Sequence, residues 1–389
     1  MKKARQRIPR VALLVETTRT YSRDILAGIH RYIATHSPWS TFIELRAPDS
    51  APPPWLRRWD GDGIITRTFT QEVADLIAAT KLPAIEIRAT YLQHNLPFIG
   101  VDNQLIGRMV AEHFINRGYR NFAAYSLHSE RFFVERVQNF VSTVEAIGLT
   151  CATLPEKTSE SVADWEKNQA RLVAWLNQLP KPVGVFAAND QLGIRLLDAC
   201  QRAGISVPEE VAVVGAENDE TLCEFSTPPL TSLQYDGEKV GYLAAQMLDG
   251  MMQGQPAPAY ETLVPPKSII TRGSSDDLVI NDQLVSHAVR MIRKQATQGL
   301  TVEDLCETLN TSHSTLERRM KAALNRTPKA EIIRIRLREV ERLLRDTDLT
   351  IEAISEQAGF VHSHYLQALF KQRHRQTPGQ FRKALPRRV

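Results

Sequence analysis

Two stretches of the chain set nitrogen and hydroxyl donors at the start of an amphipathic helix. His362, Ser363, His364, Gln367 and Lys371 stand outside the apolar positions Leu366, Leu369 and Phe370. In the same way His313, Ser314, Arg318, Arg319 and Lys321, with Glu317, accompany the apolar stripe Leu316, Met320 and Leu324. Imidazole, hydroxyl, amide and guanidinium groups at a helix N-terminus can hydrogen-bond base edges in a major groove. Lysine and arginine neutralise phosphates. After Gly359 the chain has seven Lys and Arg and no Asp or Glu; a carboxylate there would face phosphate. Two other readings of the His362/His364 pair remain, a solvated helix start and a metal site. The metal reading needs a third ligand, and none is evident nearby.

The elements that must position these residues form an internal repeat. "LTVEDLCETLN" (300–310) aligns with "LTIEAISEQAG" (349–359), so that Thr301 meets Thr350 and Leu305 meets Ile354. A one-residue shift in the turn brings Leu316 onto Leu366, Met320 onto Phe370 and Lys321 onto Lys371, and Thr327-Pro328 matches Thr377-Pro378. Each unit reads as a short helix capped by threonine, a tight turn and a second helix, which is a helix-turn-helix. One long helix over 330–346 joins the two units. Charge follows the same division. From Gln283 to Val389 there are 20 Lys+Arg against 11 Asp+Glu, leaving 28 against 33 for the rest. A basic C-terminal part beside an acidic body suggests a nucleic-acid module attached to a different one.

The 389 residues are too many for one core. From Val11 to about Ser268, apolar runs such as "VALLVE", "DGIITR", "PAIEIR", "NFAAYS", "VGVFAAND" and "VAVVGAEN" alternate with helical patterns. That alternation predicts an α/β fold with buried parallel sheets. "TRGSSDDL" (271–278) interrupts it as a linker, and beyond it only helical spacing appears. The four cysteines, Cys151, Cys200, Cys223 and Cys306, form no CxxC pair, which fits a reducing compartment. The start is a basic tail, 1–10, and its apolar run is too short for a signal peptide. No run of about 18 apolar residues predicts a membrane span, so the expected place is the cytoplasm. No GxSxG, HExxH, P-loop or GxGxxG occurs, and no enzyme or cofactor is expected. The acids Asp60 and Asp62 in "WDGDGIITR" read as turn residues rather than as metal ligands.

The two ends of the chain resemble two known families. Two helix-turn-helix units joined by a long helix, with "IEAISEQAGF", Tyr365, Phe370-Lys371, Thr377-Pro378 and Phe381-Arg382, resemble the AraC/XylS-type DNA-binding domain over roughly 283–385. Departures are Ala368 where that family often has Arg, His362 for Asp, and Asn325 and Arg375 for Gly. "VGVFAANDQLGIRLLDACQRAGISVPEEVAVVGAENDE" (183–220) and "GVDNQLIGRMVAEHFINRGYRNFAAYS" (100–126) resemble the LacI/periplasmic-binding-protein-like sensors over about 10–265. That resemblance implies two lobes around a cleft, with lobe one over 11–101 plus 233–270 and lobe two over 102–232. It places Arg136 at the ligand-facing arginine and Glu217 at the ligand-binding acid, where Asp is usual. Asn189 and Asp190 lie at a strand end, where ligands of open α/β sheets sit. Tyr21 and Arg23 lie in the lip of the first lobe, and Tyr21, Trp165 or Tyr235 could offer a ring to a sugar's C–H face.

The fold expected is therefore an α/β two-lobed periplasmic-binding-protein-like sensor (11–270), a linker (271–282) and an all-α double helix-turn-helix DNA-binding domain (283–389). The order resembles the xylose-operon activator type of regulator. The resemblance implies a small sugar effector, D-xylose or another, together with double-stranded operator DNA and a homodimer; an activator, which would also contact RNA polymerase, and a repressor both remain open, and a sugar-modifying enzyme is the remote alternative.

Overall fold

The computed structural model describes residues 7–36, 38–44, 51–127, 129–156, 164–258, 261–276, 282–324 and 326–384. Most of the expected basic tail, residues 277–281 of the expected linker, and Asn325 lie outside the described residues. The chain divides into two compact units, Met1–Asp277 and Leu278–Val389.

In the first unit, strand β1 (Arg10–Leu14) is buried beyond its first residue. Such an apolar run needs cover on both faces, which parallel neighbours with crossover helices provide. Helix α1 (Thr20–Thr35) leads to β2 (Ser40–Ile43), β3 (Gly63–Thr66), α2 (Gln71–Thr80), β4 (Ala84–Glu86) and β5 (Ile99–Val101). The sheet order is β2-β1-β3-β4, all parallel. A bridge between Glu86 and Phe98 carries the layer on to β5. Asp60 and Asp62 act in the turn before β3, where both hold Arg10, at 2.7 Å each.

The chain then enters a second lobe. Helix α3 (Asn103–Ile115) is followed by β6 (Asn121–Leu127), α4 (Arg131–Glu145), β7 (Cys151–Glu156), α5 (Trp165–Gln178) and β8 (Val183–Ala187). After these come α6 (Asp190–Arg202), β9 (Val211–Glu217), α7 (Glu220–Phe225) and β10 (Thr231–Gln234). Helix α8 (Gly237–Met252) returns to pack on α1, and β11 (Thr262–Val264) pairs with β5. Strand β12 (Ile269–Ile270) crosses back and pairs antiparallel with β10, giving the order β12-β10-β9-β8-β6-β7. The expected assignment of 233–270 to lobe one is thus corrected at both ends, because β10 and β12 belong to the second sheet. Asp102, Asn189, Asp219 and Asp236 each cap a helix by accepting a backbone N–H three residues on. These caps turn the chain sharply near the strand ends that face the cleft.

Among the described residues of the second unit every regular element is a helix, the α-helices being α9 (Gln283–Gln295), α10 (Val302–Thr308), α11 (His313–Leu324), α12 (Pro328–Asp346), α13 (Ile351–Gln357), α14 (Ser363–His374) and α15 (Pro378–Ala384). Thr301 and Asp304 form a capping box at α10, and Thr350 caps α13. Helix α12 serves two cores. Its Ile332 joins Leu305, Leu316 and Met320, and its Val340 and Leu344 join Ile354, Leu366 and Phe370. Each such buried side chain contributes roughly 1.5–3 kcal/mol. Gly359 turns from α13 toward α14 at φ 80, with Ala296 O and Thr297 O 2.8 Å from where a Cβ would stand. Arg375 ends α14 in the left-handed region at φ 62, the conformation that makes glycine common there.

Candidate functional site

A cleft of about 350 Å³ opens between the two lobes of the first unit. Side chains at strand ends and helix starts converge on it, as expected where parallel sheets end. Tyr21, Arg136, Glu217 and Tyr235, all expected from sequence, line it together with Glu16, Arg67, Phe69, Arg88, Asn103, Glu130 and Phe132. Tyr235 and Tyr21 meet edge to face with ring centroids 5.3 Å apart. Arg136 lies 5.1 Å from the Tyr235 ring centre and 4.9 Å from that of Phe132, and Arg88 lies 4.1 Å from that of Phe69. Aromatic walls therefore alternate with guanidinium groups, and the rings offer apolar faces beside hydrogen-bond donors.

Arg136 is 3% exposed and its position is fixed from two sides. Its Nε donates to Asn103 Oδ1 at 2.9 Å and a terminal nitrogen donates to Ala188 O at 2.8 Å. Helices α3 and α4 can bring Asn103 and Arg136 this close because Gly107 has no side chain. A Cβ there would lie 2.2 Å from Arg136 O. No carboxylate pairs with Arg136 among the described residues. The other cations are paired: Arg67 with Glu16, Arg88 with Glu130 at 2.6 Å, and Arg19 with Glu217 at 3.8 Å. The last two pairs span the lobes. Arg67 Nε, Arg88 Nε, the Tyr235 hydroxyl and Glu16 Oε2 are buried and have no protein partner among the described residues. Three donors and an acceptor on cleft-lining residues thus lack a partner within the protein. Burial pushes the Tyr21 hydroxyl up to about 12 and the Tyr235 hydroxyl well above its ordinary value, so both stay protonated.

Four sequence-based expectations fall away from the cleft. Asn189 spends its carbonyl on capping α6, accepting from Leu192 N at 2.8 Å. Asp190 is 1% exposed and accepts from Ser232 Oγ and Asp219 N. Burial and Glu217 raise its carboxyl to about 7, and it braces the β9 end rather than lining the cavity. Arg23 is exposed and folds back onto Thr17 O and Thr20 Oγ. Trp165 is 38% exposed on α5, beside Arg195. Glu16, Arg67, Phe69 and Arg88 were not singled out in the sequence. All follow directly on β1, β3 or β4, and a rule of inspecting the residues just past each strand finds them.

In the helical unit, His313, Ser314, Arg318 and Lys321 are exposed on α11. His362, His364, Gln367 and Lys371 are exposed at and along α14, and Ser363 is half-buried. The His362 and His364 rings stack at 5.4 Å. Arg319 differs. It grips Asp282, the cap of α9, through two bonds of 2.6 Å and so ties α11 to α9, while its side chain stays 39% exposed. No cluster of three or more His, Cys, Asp or Glu able to hold a metal occurs among the described residues. No helix among them is long and apolar enough to cross a membrane.

Comparison with known proteins agrees with this architecture in each part. The family model of the XylR N-terminal domain matches residues 10–104, that of a periplasmic binding protein-like domain matches 111–275, and that of a helix-turn-helix domain matches 305–384. The xylose operon regulatory protein of Haemophilus influenzae is 30% identical over 384 residues, covering 96% of this chain and 98% of the relative. The chain belongs to the xylose operon regulatory protein family. The Escherichia coli K12 member is 29% identical, covering 96% of each chain. A solved structure of a xylose-binding transcription activator superposes with a TM-score of 0.80 at 27% identity, covering 98% of this chain and 100% of that one. As a member of this family the chain is a sugar-responsive, DNA-binding transcription regulator and not an enzyme. The two-lobed cleft and the paired helix-turn-helix units are the parts that such a regulator requires.

Proposed function

We propose that the chain senses D-xylose in the first-unit cleft and activates a pentose-utilisation operon by binding operator DNA as a homodimer in the cytoplasm. The observation that carries the effector is the mixed set of donors, acceptors and rings on the residues that line the cleft. Arg67 Nε, Arg88 Nε and the Tyr235 hydroxyl can donate, and Glu16 Oε2 can accept. A mixed set of this kind suits the hydroxyls of a neutral polyol, each of which costs about 1–3 kcal/mol if buried unpaired. Arg136 and Glu217 add a guanidinium and a carboxylate, and Tyr21, Phe69, Phe132 and Tyr235 offer rings for the C–H faces. A cleft of about 350 Å³ is at the small end for ligand sites, which favours one sugar ring over an oligosaccharide. The names of the relatives above point to the same pentose.

On the DNA side the reading assigns base-edge contacts to His313, Ser314 and Arg318 of α11 and to His362, Ser363, His364 and Gln367 at α14. Lys321 and Lys371 take phosphates. Two units in one protomer read two major-groove segments about one turn apart, and a contact with RNA polymerase completes activation. Calorimetric titration of the full chain with D-xylose, L-arabinose, D-ribose and D-glucose tests the effector. Saturable binding of D-xylose ahead of the other three is expected. Absence of heat with D-xylose would overturn the effector assignment.

A further inference from the structure

The sensor chain ends in the second lobe, next to the corner that carries Glu217 into the cleft. After β12, residues 271–275 run along β9 and β10. Val213 N donates to Ser274 O at 2.9 Å, Thr231 N to Ser274 Oγ at 2.8 Å and Ser274 N to Pro229 O at 2.9 Å. Ser274 and Ser275 are fully buried. On the other side of the segment, His113 meets Ser275 Oγ at 2.8 Å and Arg117 donates to Ser275 O at 3.0 Å. These bonds, among the described residues, fasten the end of the sensor to lobe two.

One side chain of this segment reaches back toward the cleft. Arg272, its side chain 9% exposed, donates to Asn218 Oδ1 at 2.8 Å, to Leu230 O at 3.1 Å and to Glu224 at 2.8 Å. Asn218 is the middle of a three-residue corner, Glu217–Asp219, at the end of β9, whose outer two residues touch lobe one. Glu217 lines the cleft and pairs with Arg19 at 3.8 Å, and Asp219 accepts from Thr20 Oγ at 2.9 Å. Glu217 and Asn218 have φ 120 and 53. Two successive non-glycine residues with positive φ form a strained corner, and such corners persist only where their surroundings hold them. The corner thus has lobe one and the cleft on one side and the exit of the sensor chain on the other.

We propose that Arg272 is a positioning residue that couples effector binding to the exit of the sensor, through Asn218 and the Glu217–Asp219 corner. A ligand that engages Glu217 competes with Arg19 for the same carboxylate, and the corner it holds is the one Arg272 grips. Coupling of this kind requires that the effector and the DNA favour the same arrangement of one shared element. The corner and the Arg272 fork are that element. The proposal rests on the sugar-effector reading given above.

The test uses the full chain, D-xylose, and a duplex selected by the wild type from random DNA. Operator affinity is measured with and without saturating sugar, and sugar affinity is measured on DNA-free protein. Wild type is expected to change its operator affinity about 5- to 150-fold on adding sugar. Arg272→Gln removes the fork. Asn218→Gly removes the amide while tolerating the positive φ. Both are expected to bring the sugar-dependent ratio below about threefold, with sugar affinity within about twofold of wild type, as set by the loss of most of that coupling. Arg117→Gln loosens the same segment without touching the corner and is expected to keep the wild-type ratio. A full ratio in both Arg272→Gln and Asn218→Gly overturns the proposal, and so does an equal loss in Arg117→Gln. If wild type binds no D-xylose, the effector reading fails and this proposal fails with it.

Discussion

Replacing Tyr235 by Phe removes one oxygen from the cleft and little else. The ring stays between Tyr21, 5.3 Å away edge to face, and Arg136, 5.1 Å from its centre. The hydroxyl is buried without a protein partner among the described residues, so no intramolecular hydrogen bond is lost. Unliganded stability should therefore stay within about 0.5 kcal/mol, as for substitutions that touch no structural partner. If the hydroxyl bonds the sugar, its removal forfeits a net 0.5–1.5 kcal/mol, or roughly 2- to 12-fold in affinity. Sugar affinity is read by calorimetric titration, and stability by thermal unfolding without sugar. Unchanged D-xylose affinity would refute the placement of this hydroxyl on the ligand. A loss of more than about 1 kcal/mol without sugar would refute the argument that nothing in the protein holds it.

Four further outcomes are expected. Glu86 is fully buried behind Arg88, and burial raises its carboxyl from 4.5 to about 7. The folded state then holds a proton that the unfolded state releases between these values, so sensor stability falls by about 3 kcal/mol as pH rises from about 4.5 through 7. Glu86→Gln should flatten that fall in denaturant titrations at pH 5.5 and pH 8, and an unchanged pH dependence would argue against it. Arg318→Ala should weaken operator binding by about 1–3 kcal/mol and leave sugar affinity intact, as measured by fluorescence anisotropy on the selected duplex. Arg319→Ala should instead lower the melting temperature of the helical unit, because it frees Asp282 from its two bonds of 2.6 Å, with base preference retained in a mismatch series. Gly359→Ala meets Ala296 O and Thr297 O at 2.8 Å in a left-handed turn and should destabilise the same unit by about 1–3 kcal/mol, a loss visible in urea unfolding.

What could be read from the chain alone was whatever repeats over short distances. Apolar strands alternating with amphipathic helices announced the α/β unit, since burial on both faces demands continuous apolar runs. The paired threonine caps and the matched Leu316/Leu366 and Met320/Phe370 stripes announced two helix-turn-helix units, because helical periodicity is local. The asymmetry of charge between front and back followed from counting. Which polar residues enter the cleft was decided elsewhere. Asn189 and Arg136 were both expected at the ligand, yet the first is consumed as the cap of α6 and the second, within α4, is held at the cleft by Asn103. Arg318 and Arg319 are adjacent, yet only the second meets Asp282, 37 residues away. Glu16, Arg67 and Arg88 became cleft residues because separate strands end side by side in one sheet. A side chain's partner is set by elements distant in sequence that packing brings within hydrogen-bond reach, and no local period records that distance.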